Sequence, residues 1–276
     1  AEAEAALESG AAALKLAFQG NASFGTHALA MDALVAIVAP DNPTPKISTI
    51  DLARVLSGEV TNWSEIGGPD MPVVLHALQP QTDVQLALAS RIGMNAAAAV
   101  LHPDMKSLAD AVARDPWAIA VSGRSSIVPA RRIPLTDTCG FPLLPTSLAI
   151  KAEDYPLALP VLLLTPKRRL PLLTREFLDF LRTPKAQEAV TSMGFIDRSA
   201  TRQPMTADGL RLINAIKGAG EDVTLADLKR LVGIMDGADR LSLTFRFEDG
   251  SSTLDAQSQD NLADLAQLIA AGQFRN

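Results

Sequence analysis

The chain of 276 residues is long enough for one large two-lobed domain or for two ordinary domains. Hydrophobic residues make up 47% of it and charged residues 20%, a composition typical of globular proteins and unlike that of disordered or collagen-like chains. The formal net charge of −6 argues against nucleic acid as a partner, and no apolar run reaches the roughly 18–20 residues of a membrane-spanning helix.

The first part of the chain predicts a helix, a buried strand and a second helix. Residues 1–18 are rich in Ala, Leu and Glu and favour a helix, which Gly10 interrupts. Residues 28–39 form an almost continuous apolar run closed by Pro40, which is typical of a strand buried on both faces. Ser48 can cap the helix that follows, because its hydroxyl accepts hydrogen bonds from free N–H groups of a first turn.

Strands and helices continue to alternate up to residue 194. Thr82 is a candidate N-cap, and Thr183-Pro184 has the pattern of a cap followed by proline at the first helical position. The further predicted strands are 72–78, 117–121, 133–135, 147–150 and 157–164, and the further helices are 82–92, 104–114, 172–181 and 183–194. This alternation predicts an α/β fold with a largely parallel sheet over residues 25–200.

The amino-acid composition changes beyond residue 197. Short polar residues with a proline at 198–209 indicate a linker, and helical stretches follow at 210–217 and 225–234. Residues 241–247 alternate apolar and polar, as in a half-buried strand, and apolar residues at helical spacing follow up to Ile269.

The most specific stretch of the sequence is Asn62-Trp-Ser-Glu-Ile-Gly-Gly68, which follows a capped helix. This stretch, with the apolar segment 30–43, resembles phosphate-type solute-binding proteins of ABC transporters. The resemblance spans residues 25 to about 197 and implies a two-lobed α/β fold of the periplasmic-binding-protein type 2. The family's N-terminal strand, Ser/Thr-Gly loop and helix have no match before residue 28. The resemblance therefore implies a first lobe that lacks its N-terminal part, so that half of the cleft is missing or rebuilt. We interpret Trp63 as a core anchor.

In this family an arginine followed closely by Ser-Gly-Thr at a helix start binds the oxyanion. Here Thr82 matches the serine, but Asp83 replaces the glycine and Val84 the threonine, and no Arg or Lys lies between residues 72 and 90. An aspartate in the first turn takes the electrostatic place of a bound anion, which argues against tight phosphate binding.

Five residues are the candidate ligand-binding set. Four of them could hydrogen-bond a neutral or weakly charged solute: His76, Gln79, Gln81 and Thr82. Helix capping alone explains Thr82 equally well. The fifth is Asp32, a carboxylate in an apolar strand that needs a partner. Asp32 could accept a hydrogen bond from a protonated oxyanion, or it could brace a hinge.

The C-terminal segment resembles the opening strand and first helix of OmpA-like peptidoglycan-binding domains, on the pattern Phe245-Arg-Phe followed by a small-residue loop and a Leu- and Asn-containing helix. The residues that hold the peptide in that family lie downstream of the matched segment. Peptidoglycan binding would therefore need a region outside this chain. Together the resemblances predict a solute-binding domain at 1–200, a helical linker at 201–239 and a partial OmpA-like segment at 240–276.

Catalytic and metal-binding patterns are weak in the sequence. The three histidines have no metal-ligand spacing, and a nucleophilic role for the lone Cys139 has no ordering motif beside it. We therefore expect no cofactor, no metal and no enzymatic activity.

The sequence leaves two functions open. The first is a periplasmic solute-binding component that captures a small molecule or oxyanion between its lobes, with a membrane permease or a sensor as its partner. The second is a cell-envelope scaffold that keeps the fold but no longer binds phosphate. The altered helix start at residues 82–84 favours the scaffold.

Overall fold

The computed structural model describes residues 2–138, 140–205, 209–247, 250–270 and 272. Cys139 lies outside the described residues. The chain divides into two compact units, Ala1–Arg198 and Ser199–Asn276. The first unit has nearly the extent of the predicted domain at 1–200.

A mixed sheet of seven strands forms the centre of the first unit. Its strand order is β1-β10-β2-β6-β4-β5, and β7 also pairs with β2. These strands are β1 (Lys15–Ala17), β2 (Phe24–Val38), β4 (Val74–Leu78), β5 (Val100–His102), β6 (Ala118–Gly123), β7 (Arg131–Arg132) and β10 (Ala158–Pro166). A second sheet contains β3 (Ile47–Ser48), β8 (Leu135–Thr136) and β9 (Pro142–Leu143).

The α/β prediction is confirmed, but the prediction of a largely parallel sheet is wrong. In the large sheet, β4 pairs in parallel with β5 and β6, whereas β1, β10, β2, β6 and β7 pair antiparallel. The reason is that β2 and β10 run in opposite directions through the middle of the unit, so the parallel βαβ pattern is confined to one side of them.

The long strand β2 divides the first unit into two lobes. Residues 24–33 of β2 pair with β10, and residues 34–38 pair with β6. We name lobe 1 the part built on β1, β10 and the first part of β2, with the helices α1 (Glu2–Ser9), α6 (Leu172–Leu181) and α7 (Pro184–Ser192). Lobe 2 is built on the rest of β2 with β4, β5 and β6, and it includes α2 (Thr49–Leu56), α3 (Asp83–Ile92) and α4 (Met105–Val112). Strands β2 and β10 are the hinge strands.

Five of the seven helices in the described part of the first unit begin at a side chain that caps them. The seven are α1 (Glu2–Ser9), α2 (Thr49–Leu56), α3 (Asp83–Ile92), α4 (Met105–Val112), α5 (Ser147–Lys151), α6 (Leu172–Leu181) and α7 (Pro184–Ser192). Five N-cap side chains accept a hydrogen bond from the backbone N–H three residues later: Ser48, Thr82, Asp104, Thr146 and Thr183. The predicted caps of α2, α3 and α7 are therefore confirmed.

Two local predictions in the first unit are wrong. Residues 1–18 do not form one broken helix: α1 ends before Gly10, whose φ is +85°, and residues 15–17 form the edge strand β1 against β10. Residues 147–150 form a helix rather than a strand, because Thr146 caps it and outweighs the alternation of Leu148 and Ile150.

The hydrophobic core is larger in lobe 2 than in lobe 1. In lobe 1, Leu7 packs with Ala17, Phe24 and Leu164 in a small separate cluster. The main cluster includes Trp63, which is fully buried and donates a hydrogen bond from Nε1 to the carbonyl of Trp117 at 3.0 Å. The interpretation of Trp63 as a core anchor is therefore confirmed.

The second unit contains three helices and a two-stranded sheet among its described residues. They are β11 (Arg202–Pro204), α8 (Gly209–Lys217), α9 (Leu225–Met235), β12 (Asp239–Leu241) and α10 (Ala256–Ala270). The prediction of a strand over 241–247 is wrong, because pairing with β11 ends at Leu241 and only an isolated bridge joins Phe247 to Leu254. In the described parts of both units, no helix is long and apolar enough to cross a membrane.

We expect Trp63→Ala to lower the free energy of unfolding by about 3–5 kcal/mol, because it opens a cavity in the main core. Chemical denaturation followed by far-UV circular dichroism measures this change. Leu173→Ala on α6 is the control, since Leu173 is 82% exposed and its loss should change stability by no more than about 0.5 kcal/mol. Equal effects of the two substitutions would contradict the assignment of the core.

Candidate binding cleft

A cavity of about 220 Å³ lies between the two lobes of the first unit. Lobe 1 lines it with β1 and the loop after it, from Lys15 to Asn21. Lobe 2 lines it with the start of α3, through Gln81, Asp83 and Leu86. The amide of Gln19 donates to the carbonyl of Leu86 at 3.3 Å, so the two sides are in contact, and we call this arrangement of the lobes closed.

The start of α3 is held in place by its own polar side chains. Thr82 Oγ1 accepts from the backbone N–H of Gln85 at 3.4 Å and donates to the carbonyl of Gln79 at 2.8 Å. The amide of Gln81 donates to Oε1 of Gln79 at 2.8 Å. Of these residues, only Gln81 lines the cavity. Thr82 and Gln79 therefore order the turn that brings Gln81 and Asp83 to the cleft.

Charged groups in the cleft are predominantly acidic. Lys15 Nζ lies 3.3 Å from Oε1 of Glu4, and this contact lowers the pKa of Glu4. Asp83 lies in the first turn of α3, where the free N–H groups favour a negative charge. Among the described residues that line the cavity, Lys15 is the single positively charged side chain, whereas two side chains, Glu4 and Asp83, are acidic. An anionic ligand would therefore enter beside a carboxylate that already occupies the helix start.

His76 is placed away from the cavity, in a pair with His102 of the neighbouring strand. Nδ1 of His76 lies 3.0 Å from Nε2 of His102, and the rings are inclined by only 10°. Their centroids are 5.1 Å apart, and the rings are stacked. An N–H···N hydrogen bond between the two nitrogens contains one proton, which the tautomers place on one ring or the other.

Asp32 is buried at the hinge and does not line the cavity. Its Oδ2 accepts from the hydroxyl of Ser125 at 2.9 Å. Burial raises the pKa of Asp32, against the opposing effects of the Ala33 backbone N–H, Ser125 and the charge of Arg124. A Cβ on Gly123 would lie 3.2 Å from Oδ2, so this glycine permits the close approach of strand β6. The placement of Asp32 favours hinge bracing over ligand contact.

The lobe 1 side of the cleft is not evident from the sequence. Lys15 falls within the predicted helix over 1–18, and Gln19 and Asn21 lie outside the predicted elements, yet all three line the cavity. The signal that could have revealed them is Gln19-Gly20-Asn21, a polar turn directly after the short apolar segment. The described residues contain no group of three or more His, Cys, Asp or Glu side chains that could hold a metal ion.

A family profile described as the PBP superfamily domain matches residues 3–185. The chain belongs to the PBP superfamily. The match begins at residue 3, whereas the resemblance in sequence begins at residue 25. The N-terminal elements α1 and β1 are therefore part of the PBP superfamily domain.

Solved structures share this fold. An ABC-type phosphate transport receptor from Vibrio cholerae matches with a TM-score of 0.60 and 22% identity, over 70% of this chain and 82% of that chain. PstS from Borrelia burgdorferi matches with a TM-score of 0.51 and 16% identity over the same shares. In sequence, the phosphate-binding protein PstS of Borreliella burgdorferi is 41% identical over 44 residues, which is only 16% of this chain and 16% of that protein.

We expect stability to fall on acidification through the histidine pair. Burial, and next the charge of His102, lower the pKa of His76 from its usual value near 6.5, so the folded state favours neutral imidazole. This contribution is complete above about pH 6.5 and is lost as the pH falls through the lowered pKa. Urea unfolding between about pH 7.5 and 5.5 should show a smaller loss of stability for His76→Asn than for the wild type. Equal losses would contradict this account.

Proposed function

We propose that this chain is the periplasmic solute-binding component of a phosphate-type ABC transporter, and that it captures a small ligand, an oxyanion such as phosphate, between its lobes. The observation that supports this function is the cavity between the loop after β1 and the start of α3, in a unit whose two lobes share the strand β2. A cleft that joins two lobes can enclose a solute and release it by hinge motion. Binding rather than catalysis is the proposed role.

The relatives support the class of ligand. The Vibrio cholerae structure is an ABC-type phosphate transport receptor, and the protein with the 44-residue match is a phosphate-binding protein. A membrane permease is the proposed partner, with a sensor as the alternative, and the periplasm is the proposed location. Residues 240–276 remain proposed as a partial OmpA-like segment, with any peptidoglycan contact made by a region outside this chain.

The cleft charges limit how tightly an oxyanion can bind. Asp83 would face a bound anion across the first turn of α3, and Glu4 partly neutralises Lys15. Like charges at contact distance repel by about 1 kcal/mol in water and by several times more where water is excluded. The neutral side-chain amides of Gln19, Asn21 and Gln81 can form hydrogen bonds with a ligand whatever its net charge.

The same charges favour a second candidate function, a cell-envelope scaffold that keeps the fold and no longer binds phosphate. In this case the closed cleft, with the Gln19 amide bound to the Leu86 carbonyl, would be a permanent contact between the lobes. The two functions differ in whether any small solute stabilises the protein.

We expect a thermal-shift screen of phosphate, sulfate and molybdate to raise the melting temperature for at least one of them. Ligand at 100 times its dissociation constant adds about 2.7 kcal/mol to the free energy of unfolding. Gln81→Ala should reduce the shift, because it removes an amide from the cavity wall. No shift with any of the three anions would contradict oxyanion capture and favour the scaffold.

We expect Asp83→Asn to strengthen oxyanion binding about five-fold or more, because it removes a like charge of about 1 kcal/mol from the helix start. Isothermal titration with inorganic phosphate measures the change. The matched control is Asp41→Asn, which makes the same change in net charge at an exposed position outside the cavity. Equal affinities of the two variants for phosphate would show that Asp83 does not face the ligand.

A further inference from the structure

A pair of opposite charges, the buried Asp32 and the half-buried Arg124, lies at the hinge, and neither residue lines the cavity. Asp32 is opposite Leu159 of β10, whereas Leu34, two residues later, is opposite Gly123 of β6. Asp32 therefore stands where β2 passes from one lobe to the other. Any rotation of the lobes about this strand changes the surroundings of its carboxylate.

Arg124 connects this point to lobe 1. It follows β6 of lobe 2 directly, and its Nη2 donates to the carbonyl of Gly194 at 2.8 Å. Gly194 lies just after α7. The side-chain amide of Gln187 on α7 donates to the carbonyl of Leu29 on β2 at 3.5 Å, which attaches α7 to lobe 1. The guanidinium of Arg124 thus crosses from lobe 2 to lobe 1. We name Asp32, Arg124 and Gly194 the hinge latch.

The contact between Arg124 and Asp32 is incomplete. Nε of Arg124 lies 3.7 Å from Oδ1 of Asp32, beyond the range of about 2.7–3.2 Å for an N–H···O hydrogen bond. Both atoms are buried, and neither has a hydrogen-bond partner in the part of the chain that the structure describes. Buried charged groups without such partners are unfavourable. A shift of less than about 1 Å would complete the bond, so a small lobe rotation changes its energy.

Residues 196–197, which follow Gly194 in lobe 1, are held by other contacts of ordinary hydrogen-bond or ion-pair length. Ile196 exchanges two backbone hydrogen bonds with Met31 of β2, both 2.8 Å. Lys151 of α5 lies 3.0 Å from Asp197, and its side chain is only 7% exposed. These contacts fix residues 196–197 beside the hinge strand. In contrast, the contact between Arg124 and Asp32 is longer than a hydrogen bond, so a lobe rotation would change its energy.

We propose that Arg124 is a positioning residue that favours the closed arrangement of the lobes by joining Asp32 of the hinge strand to the Gly194 carbonyl of lobe 1. Because its bond to Asp32 is incomplete, the latch biases closure without locking it. Lobe closure is part of the proposed function, but the latch acts on the protein whether or not phosphate is its ligand.

The test measures the distance between the lobes in the chain of 276 residues without ligand. Spin labels are attached at Lys46→Cys in lobe 2 and Glu188→Cys in lobe 1, both exposed positions, in a Cys139→Ser background. Double electron–electron resonance gives the distance distribution. We expect Arg124→Gln to lower the ratio of closed to open protein about ten-fold, as the loss of a hydrogen bond to a charged group implies.

Arg114→Gln is the matched control, since Arg114 is exposed at the end of α4 and should leave the distribution unchanged. Asp32→Asn is the second variant: it removes the charge while its amide oxygen can still accept from Ser125, and it should shift the distribution in the same direction. Far-UV circular dichroism confirms that each variant is folded. A folded Arg124→Gln protein with the wild-type distribution overturns the proposal. If that variant does not fold, the wild-type distribution in Asp32→Asn overturns it.

Discussion

The backbone pairing of β2 is the constraint on which the first unit depends. This strand has 15 residues, and it exchanges hydrogen bonds with β10 along its first part and with β6 along its last. Its residues from Ala33 to Val38 are completely buried. A strand this long and apolar cannot bend sharply without losing ladder bonds, so β2 connects the two lobes through paired backbone. Its pairing changes from β10 to β6 next to Asp32, at Ala33 and Leu34.

The cleft and the hinge use charged side chains in different ways, since Asp83 is exposed at the cleft and Asp32 is buried at the hinge. At the cleft, Asp83 occupies the start of α3, and the free N–H groups of the first turn stabilise this carboxylate as they would a bound anion. At the hinge, the charge of Asp32 is compensated by Ser125 and only partly by Arg124. The first arrangement affects which ligand charge is favourable, and the second affects which lobe arrangement is favourable. Either can change without altering the sheet.

Much of the fold could be predicted from local signals in the sequence. The caps Thr82 and Thr183 fixed the starts of α3 and α7, and the apolar run at 28–39 identified the central strand within a few residues. The pairing direction could not be predicted, because parallel and antiparallel buried strands have similar apolar runs. Nor could the role of residues 15–21, since a three-residue edge strand has too few positions to show a period. The cleft depends on this segment meeting α3, a contact between residues far apart in the chain.

The candidate ligand residues separate by what each side chain already binds. His76 faces His102, Thr82 caps α3, and Asp32 binds Ser125, so each would have to give up a buried partner to contact a solute. Gln81 differs, because its amide is exposed at the cavity wall and its bond to Gln79 is replaceable by water or ligand. A side chain whose polar atoms already have hydrogen-bond partners within the protein has a structural role. By this criterion, the proposed recognition in the cleft would use Gln81 and the lobe 1 loop from Phe18 to Asn21, whereas Thr82 caps α3 and Asp32 binds Ser125 at the hinge.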